Sequence, residues 1–217
     1  MKYPEGPTSE AQVDSESFDA KLIGENELGS AHIHGPFGDE NSQIKIAFLI
    51  GMHPLESKSH RALFDKLTSK SDLKYCYYLY NIDVADDSSQ TEGRLEGQKL
   101  AFEFVKDDII DKKYDLFIDI HSNRGGDGPG GYKITNFMFA PGFDEKSSKF
   151  MNEILDAIDE IVYYEPEFRT SPPFITEPTA NAGIPTLVYE CYSSEKFEFT
   201  LELAEKLISS VENLNFD

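Results

Sequence analysis

Three stretches of this sequence end an apolar run on side chains able to do metal or acid–base chemistry: Gly51-Met52-His53-Pro54-Leu55-Glu56, Asp119-Ile120-His121-Ser122-Asn123-Arg124 and Leu187-Val188-Tyr189-Glu190. In open α/β sheets ligands gather beyond the carboxyl ends of the strands, so polar groups following buried strands are the first candidates for a site. His53 and Glu56 stand three positions apart at an expected strand-to-helix turn, where an imidazole nitrogen and a carboxylate oxygen can converge on one ion. His121 would add a third ligand from a parallel neighbour. Two histidines and a carboxylate suit one Zn2+ ion and leave it an open fourth position for water. Such an ion acidifies water to near neutrality and polarises a carbonyl oxygen. Glu190 would then take the proton from that water and pass it to a leaving nitrogen.

Each residue also has a plainer reading. His-x-x-Glu arises by chance, a histidine at a strand end often caps a loop, and a buried glutamate often pairs with Arg or Lys. The joint occurrence of imidazole or acidic groups after three apolar strands is what favours a site.

The elements that must hold these groups follow from periodicity. Residues 44–50 are a β-rich, nearly continuous apolar run ending at Gly51, the pattern of a strand buried on both faces. Residues 21–38 resemble two early strands, 75–83 and 116–120 two further central ones, 137–140 another, and 184–190 the last. Helical spacing is expected at 55–67, at 95–110 through Leu95, Leu100, Phe104 and Ile109, at 146–161 through Phe150, Ile154, Leu155 and Ile158, and at 199–211. Polar residues 86–89 and the glycine-rich stretch 125–131 are expected loops. The alternation predicts a three-layer α/β/α fold around a mixed, mostly parallel sheet. Residues 1–20 are expected to be a loose arm, and 21–217 a single domain.

These segments resemble the zinc carboxypeptidase superfamily, including its aspartoacylase and succinylglutamate desuccinylase branch. The resemblance covers roughly residues 26–192, where Leu28-Gly29-Ser30-Ala31-His32-Ile33-His34-Gly35 is similar to the strand-turn preceding the metal motif. It implies a phosphorylase/hydrolase-like sheet, one zinc, and hydrolysis of an amide next to a free carboxylate. It leaves open an N-acyl amino acid deacylase of the aspartoacylase kind, or a non-catalytic member that binds zinc or a peptide end. The family grips the substrate carboxylate with an Asn-Arg pair between His-x-x-Glu and the second histidine. Here that interval holds only Arg61 and Arg94, and Asn81 has no Arg beside it. Asn123-Arg124 matches the pair by type and not by position. The planar fork of Arg suits a carboxylate, so Arg124 is the first substrate-binding candidate, with Asn123 beside it. Arg94 is second, with a surface ion pair to Glu92 or Glu96 as its alternative, and Arg169 is third.

The 40 acidic residues outnumber the 20 basic ones, giving a formal charge of −20 that repels phosphate backbones and anionic membranes. Nucleic acid and membrane are therefore not expected partners; a small molecule or peptide bearing a carboxylate is, provided local Arg overcomes the global field. The start, Met1-Lys2-Tyr3-Pro4, lacks the pattern of a signal peptide, and a cytoplasmic location is expected. Cys76 and Cys191 read as buried free thiols, with Cys191 on the sheet face opposite Glu190. His60 is expected to face solvent or a nearby carboxylate. Tyr163, Tyr164, Tyr189 and Tyr192 read mainly as packing residues.

Overall fold

The computed structural model describes residues 20–85, 92–126, 131–142, 144–167, 169 and 171–216. The expected N-terminal arm up to residue 19, the polar loop at 86–89 and positions 127–130 of the glycine-rich loop lie outside them. Ile46, Ala47, Phe48, Leu49 and Ile50 form strand β3 (Lys45–Ile50) and are sealed from solvent. A strand with apolar side chains on both faces has to lie inside a sheet covered twice. The other strands are β1 (Lys21–Asn26), β2 (Gly29–Gly38), β4 (Cys76–Val84), β5 (Leu116–Asn123), β6 (Phe137–Phe139), β7 (Val162–Tyr163) and β8 (Thr186–Tyr192). Together they make an eight-stranded sheet in the order β1-β2-β4-β3-β5-β8-β6-β7. Strands β4, β3, β5 and β8 run parallel at its centre. Antiparallel β2 and β1 extend one side; β6, antiparallel to β8, and β7 extend the other.

Helices α1 (Ser57–Ser69), α4 (Glu145–Ala157) and α6 (Phe197–Glu212) cover one face. There Leu63, Leu67, Phe150, Ile154 and Leu207 pack on Ile46, Phe48, Ile118 and Leu187. Helices α2 (Glu92–Leu100), α3 (Lys106–Lys112) and α5 (Thr176–Asn181) lie on the other side, where Leu100, Ala101, Val105 and Ile109 meet Ala47, Leu49 and Phe117. The three layers expected from the alternation are present. Truncating a ring such as Phe48 in this core would cost about 3–5 kcal/mol.

Several boundaries differ from expectation. The expected helix 95–110 is α2, a π-helical turn at Ala101–Val105, and α3. The buried stripe of α2 runs through Gly93, Gly97, Gln98 and Leu100, and Leu95 is exposed. The wider π turn keeps Val105 and Ile109 in line with that stripe, where regular winding would rotate them away. Helix α4 stops at Ala157, and Ile158 is buried from an extended backbone instead of a helical one. Strand β5 continues past Ile120 to Asn123 because β8 pairs with it as far as Asn123↔Tyr192. His121 is therefore inside a strand and not in the loop after it.

Chain order places the site. From β3 the chain crosses to β4 on one side, while the next strand, β5, lies on the other. This reversal opens a crevice at the carboxyl ends of β3 and β5, the usual ligand position in such sheets.

Candidate active site

Gly51 ends β3 at φ +83, where a Cβ would lie 2.1 Å from the Ile82 carbonyl oxygen, so glycine is required for the chain to turn there. A single 3-10 turn, Pro54–Glu56, follows, with Glu56 N–H donating to His53 O at 3.0 Å. Pro54 suits its first position, since proline has no N–H to leave unpaired. This tight turn brings the two side chains together: His53 Nδ1 lies 3.1 Å from Glu56 Oε1. Across the crevice His121 Nδ1 lies 2.9 Å from Glu56 Oε2, and Ser122 N–H donates to the same oxygen at 3.2 Å. One ligand atom from each of His53, Glu56 and His121 falls within 4.8 Å of the others, and all three residues are buried. The sequence-derived trio thus converges.

Glu190 pairs directly with His121 across β5 and β8. Its carboxylate accepts from Asn123 Nδ2 at 3.3 Å, and that amide also donates to Thr135 O at 2.8 Å. Strand alternation explains the set: Asp119, His121 and Asn123 share the α2 side of β5. Cys191, next to Glu190, belongs to the core on the α1 side, as alternation requires.

Charges in this buried cluster are not independent. Burial presses the His53 imidazole down to about 3, with Glu56 opposing and Arg94 assisting. Burial opposes ionisation of Glu56, but His53, Arg94 and His121 outweigh it and hold the carboxyl well below its usual range. Burial also opposes charge on His121, yet Asp119 and Glu56 raise it well above the usual imidazole value. Asp119 Oδ2 stands 2.9 Å from His121 Nε2, an ion-pair distance, although the carboxylate lies off the axis of the ring N–H. Glu190 is pushed up to about 8, first by burial and then by Glu56.

The substrate candidates separate. Arg94, on the first turns of α2, donates from Nη1 to Glu56 Oε1 at 2.7 Å, and its charge is felt at Glu190. It thus has a partner in the buried cluster. Arg124, the first candidate, lies one residue past the end of β5 and is exposed. Asn123 faces Glu190 and so acts on the carboxylate. Arg169 pairs with Glu165 at 3.0 Å and lies over the Phe139 ring at 4.8 Å.

Other residues around the cluster were not singled out from the sequence. Gln98 Nε2 lies 3.1 Å from His53 Nε2. With Nδ1–H donating to the ionised Glu56, Nε2 of the neutral ring is bare and accepts from the Gln98 amide N–H. Gln98 is four residues after Arg94, which puts both on one helix face, and Asp119 is two before His121, on one strand face; those spacings were the available signals. Tyr132, packed against Phe137 and Tyr164, has its phenol raised to about 12, by burial first and then by Glu190. His60 is buried and bonded to backbone, contrary to the solvent-facing or carboxylate-facing position expected.

The fold just described is that of the metallo-carboxypeptidases. The chain is similar to a metallo-carboxypeptidase from Pseudomonas aeruginosa, solved with (2-guanidinoethylmercapto)succinic acid, at 14% identity and TM-score 0.56, covering 85% of this chain and 60% of that one. It is also similar to a metallo-carboxypeptidase from Burkholderia cenocepacia at 15% identity and TM-score 0.58, covering 91% and 65%. A third similar structure is the mDAP-bound form of Csd4, a D,L-carboxypeptidase of Helicobacter pylori, at 14% identity and TM-score 0.59, covering 83% and 53%. The chain therefore spans less than two thirds of the length of each of these proteins. No protein-family profile matches the sequence, and no curated protein matches it. Among the described residues no helix is long and apolar enough to cross a membrane.

Proposed function

We propose that this chain is a zinc-dependent hydrolase of carboxypeptidase type, cleaving an amide bond near a free carboxylate in a peptide or small molecule. The observation that carries the reading is the convergence of His53, Glu56 and His121, with Glu190 on the strand beside His121. The donor set fits zinc: two imidazole nitrogens and one carboxylate, buried and aimed at one another, with Asp119 behind one ring and Gln98 behind the other. Arg94, a cation already drawn to Glu56, marks the same place as favourable for positive charge.

When bound, zinc would supply a Lewis acid that polarises the scissile carbonyl and acidifies water near neutral pH. Everything else falls to the chain. Glu190, with Oε2 held by Asn123, takes a proton from the attacking water on its carboxylate and returns it to the departing nitrogen. Burial, which favours the neutral acid, prepares Glu190 for the second half of that transfer, and a bound cation would favour the first. Arg94 offers its planar fork to an anionic oxygen of the substrate, and this local charge offsets the chain's formal charge of −20.

The test is hydrolysis of N-blocked dipeptides and N-acyl amino acids by the zinc-loaded protein, compared with Glu190→Gln. The substitution should lower kcat about 10²–10⁴-fold while one ion per chain is retained. Equal turnover by Glu190→Gln would remove the proposed base, and the substrate panel decides between peptide and acyl-amino-acid cleavage.

A further inference from the structure

Strands β3 and β5 pair from Ile46↔Leu116 to Leu49↔Asp119, and their ladder ends there. The backbone groups just beyond that end include the Gly51 N–H and the Ile120 carbonyl. His60, on the second turn of α1, sits between them. Its Nδ1 accepts from Gly51 N at 3.3 Å, and its Nε2 donates to Ile120 O at 3.1 Å. The two bonds require a neutral ring with Nδ1 bare and the proton on Nε2. Burial suits that form, pressing the imidazole down to about 4.

Each bond grips backbone next to a proposed metal ligand: Gly51 is two residues before His53, and Ile120 directly precedes His121. A direct ladder bond would hold nitrogen and oxygen about 2.9 Å apart. An imidazole placed between them holds the two strand ends apart by its own width and two hydrogen bonds. The side chains in question stand with ring centroids 4.7 Å apart, on the opposite side of the sheet from α1. We propose that His60 is a positioning residue for the metal centre: its ring replaces the next rung between β3 and β5 and sets the separation of His53 and His121. The inference rests on the reading of His53, Glu56 and His121 as a metal site.

The test uses Co2+ as a spectroscopic probe on the full chain, with wild type, His60→Leu, which can neither donate nor accept, and His60→Gln, whose amide can do both. Wild type should bind one Co2+ with a defined visible spectrum. His60→Leu should bind about 10–100-fold more weakly, with altered bands, and His60→Gln should recover much of both. A lowered melting temperature with unchanged affinity and spectrum in His60→Leu would show a purely structural role and overturn the inference alone. Absence of Co2+ and Zn2+ binding by wild type would overturn the metal-site reading, and this inference with it. Should His60→Leu fail to fold, ring nitrogen chemical shifts of wild-type His60 decide: a bare Nδ1 and protonated Nε2 are expected, and a protonated Nδ1 would break the link to Gly51 and sink the inference.

Discussion

His121 and Glu190 oppose each other directly across β5 and β8, so one strand pair carries both a proposed metal ligand and the proposed proton carrier. Because strand pairing fixes their register, the relation does not depend on loop conformation.

Asn123 tunes the carboxyl of this pair. Its Nδ2 donates to Glu190 Oε2, which favours the ionised form against burial and the charge of Glu56. Asn123→Ala removes that support, so the Glu190 pKa rises. A general base must be ionised, so the acid limb of the kcat/KM profile should move to higher pH. A hydrogen bond to a charged group contributes about 1.5–3 kcal/mol, which predicts a displacement of about one pH unit or more. A profile that stays in place would show that the amide does not govern Glu190.

Gly97 controls how closely α2 approaches the crevice. A Cβ there would lie 2.0 Å from the Met52 carbonyl oxygen, directly before His53. Gly97→Ala must push α2 outward, carrying Gln98 and Arg94 with it. Overpacking of this kind costs about 1–3 kcal/mol, despite the helix propensity of alanine. Thermal melting and zinc titration together check it, since both stability and affinity should fall.

Much of this arrangement was legible in the letters, and the remainder was hidden for physical reasons. His53, Glu56, His121 and Glu190 stand out because each follows a buried apolar run; the first three converge, and Glu190 lies opposite His121 on the next strand. Arg94 is only the second substrate-binding candidate, because its approach to Glu56 depends on how α2 packs over β3, a tertiary fact no local pattern carries. Arg124 is favoured for its planar fork and for matching an Asn-Arg pair by type, but it lies one residue past the end of β5 and is exposed. Strand β7 has two residues, and α5 holds Pro178 within six, so neither offers a periodic signal. His60 is expected to face solvent or a carboxylate because its actual partners are backbone groups, which every sequence contains.

On the proposed reading, Arg94, which pairs with Glu56, would compete with a metal for that carboxylate and serve the substrate once one is present. Arg94→Met should therefore bind zinc several-fold more tightly, since a nearby cation is gone, yet turn over about 10²-fold more slowly. Arg94→Lys keeps the charge but not the fork, so it should restore weak metal affinity more fully than activity. Parallel titration and kinetics separate the two effects.

Metal uptake should release protons. His53 is neutral down to about pH 3 and is ready to bind, whereas His121 is raised well above the usual imidazole value and carries a proton at neutral pH. An ion can take Nδ1 of His121 only after displacing that proton. Affinity should therefore fall as pH falls, by about tenfold per unit or more. Calorimetry in buffers of different ionisation enthalpy should find about one to two protons released per ion, from His121 and from Glu190, whose raised carboxyl a cation would ionise; none would contradict the assigned charge on His121.

Lys58 ties the end of β8 to α1, donating to Ser193 O at 2.6 Å and Glu195 O at 2.7 Å. Lys58→Met should lower stability by about 1.5–3 kcal/mol, measured by denaturant unfolding.

Glu56 and His121 lie 65 residues apart, with α1, β4, α2 and α3 between them. An ion gripping both would fasten that whole loop, so free zinc at 100 times its dissociation constant would add about 2.7 kcal/mol against unfolding. Starvation for the ion would then idle the chain and loosen it for proteases at the same moment, making the supply of a nutrient metal a control on how long each copy survives.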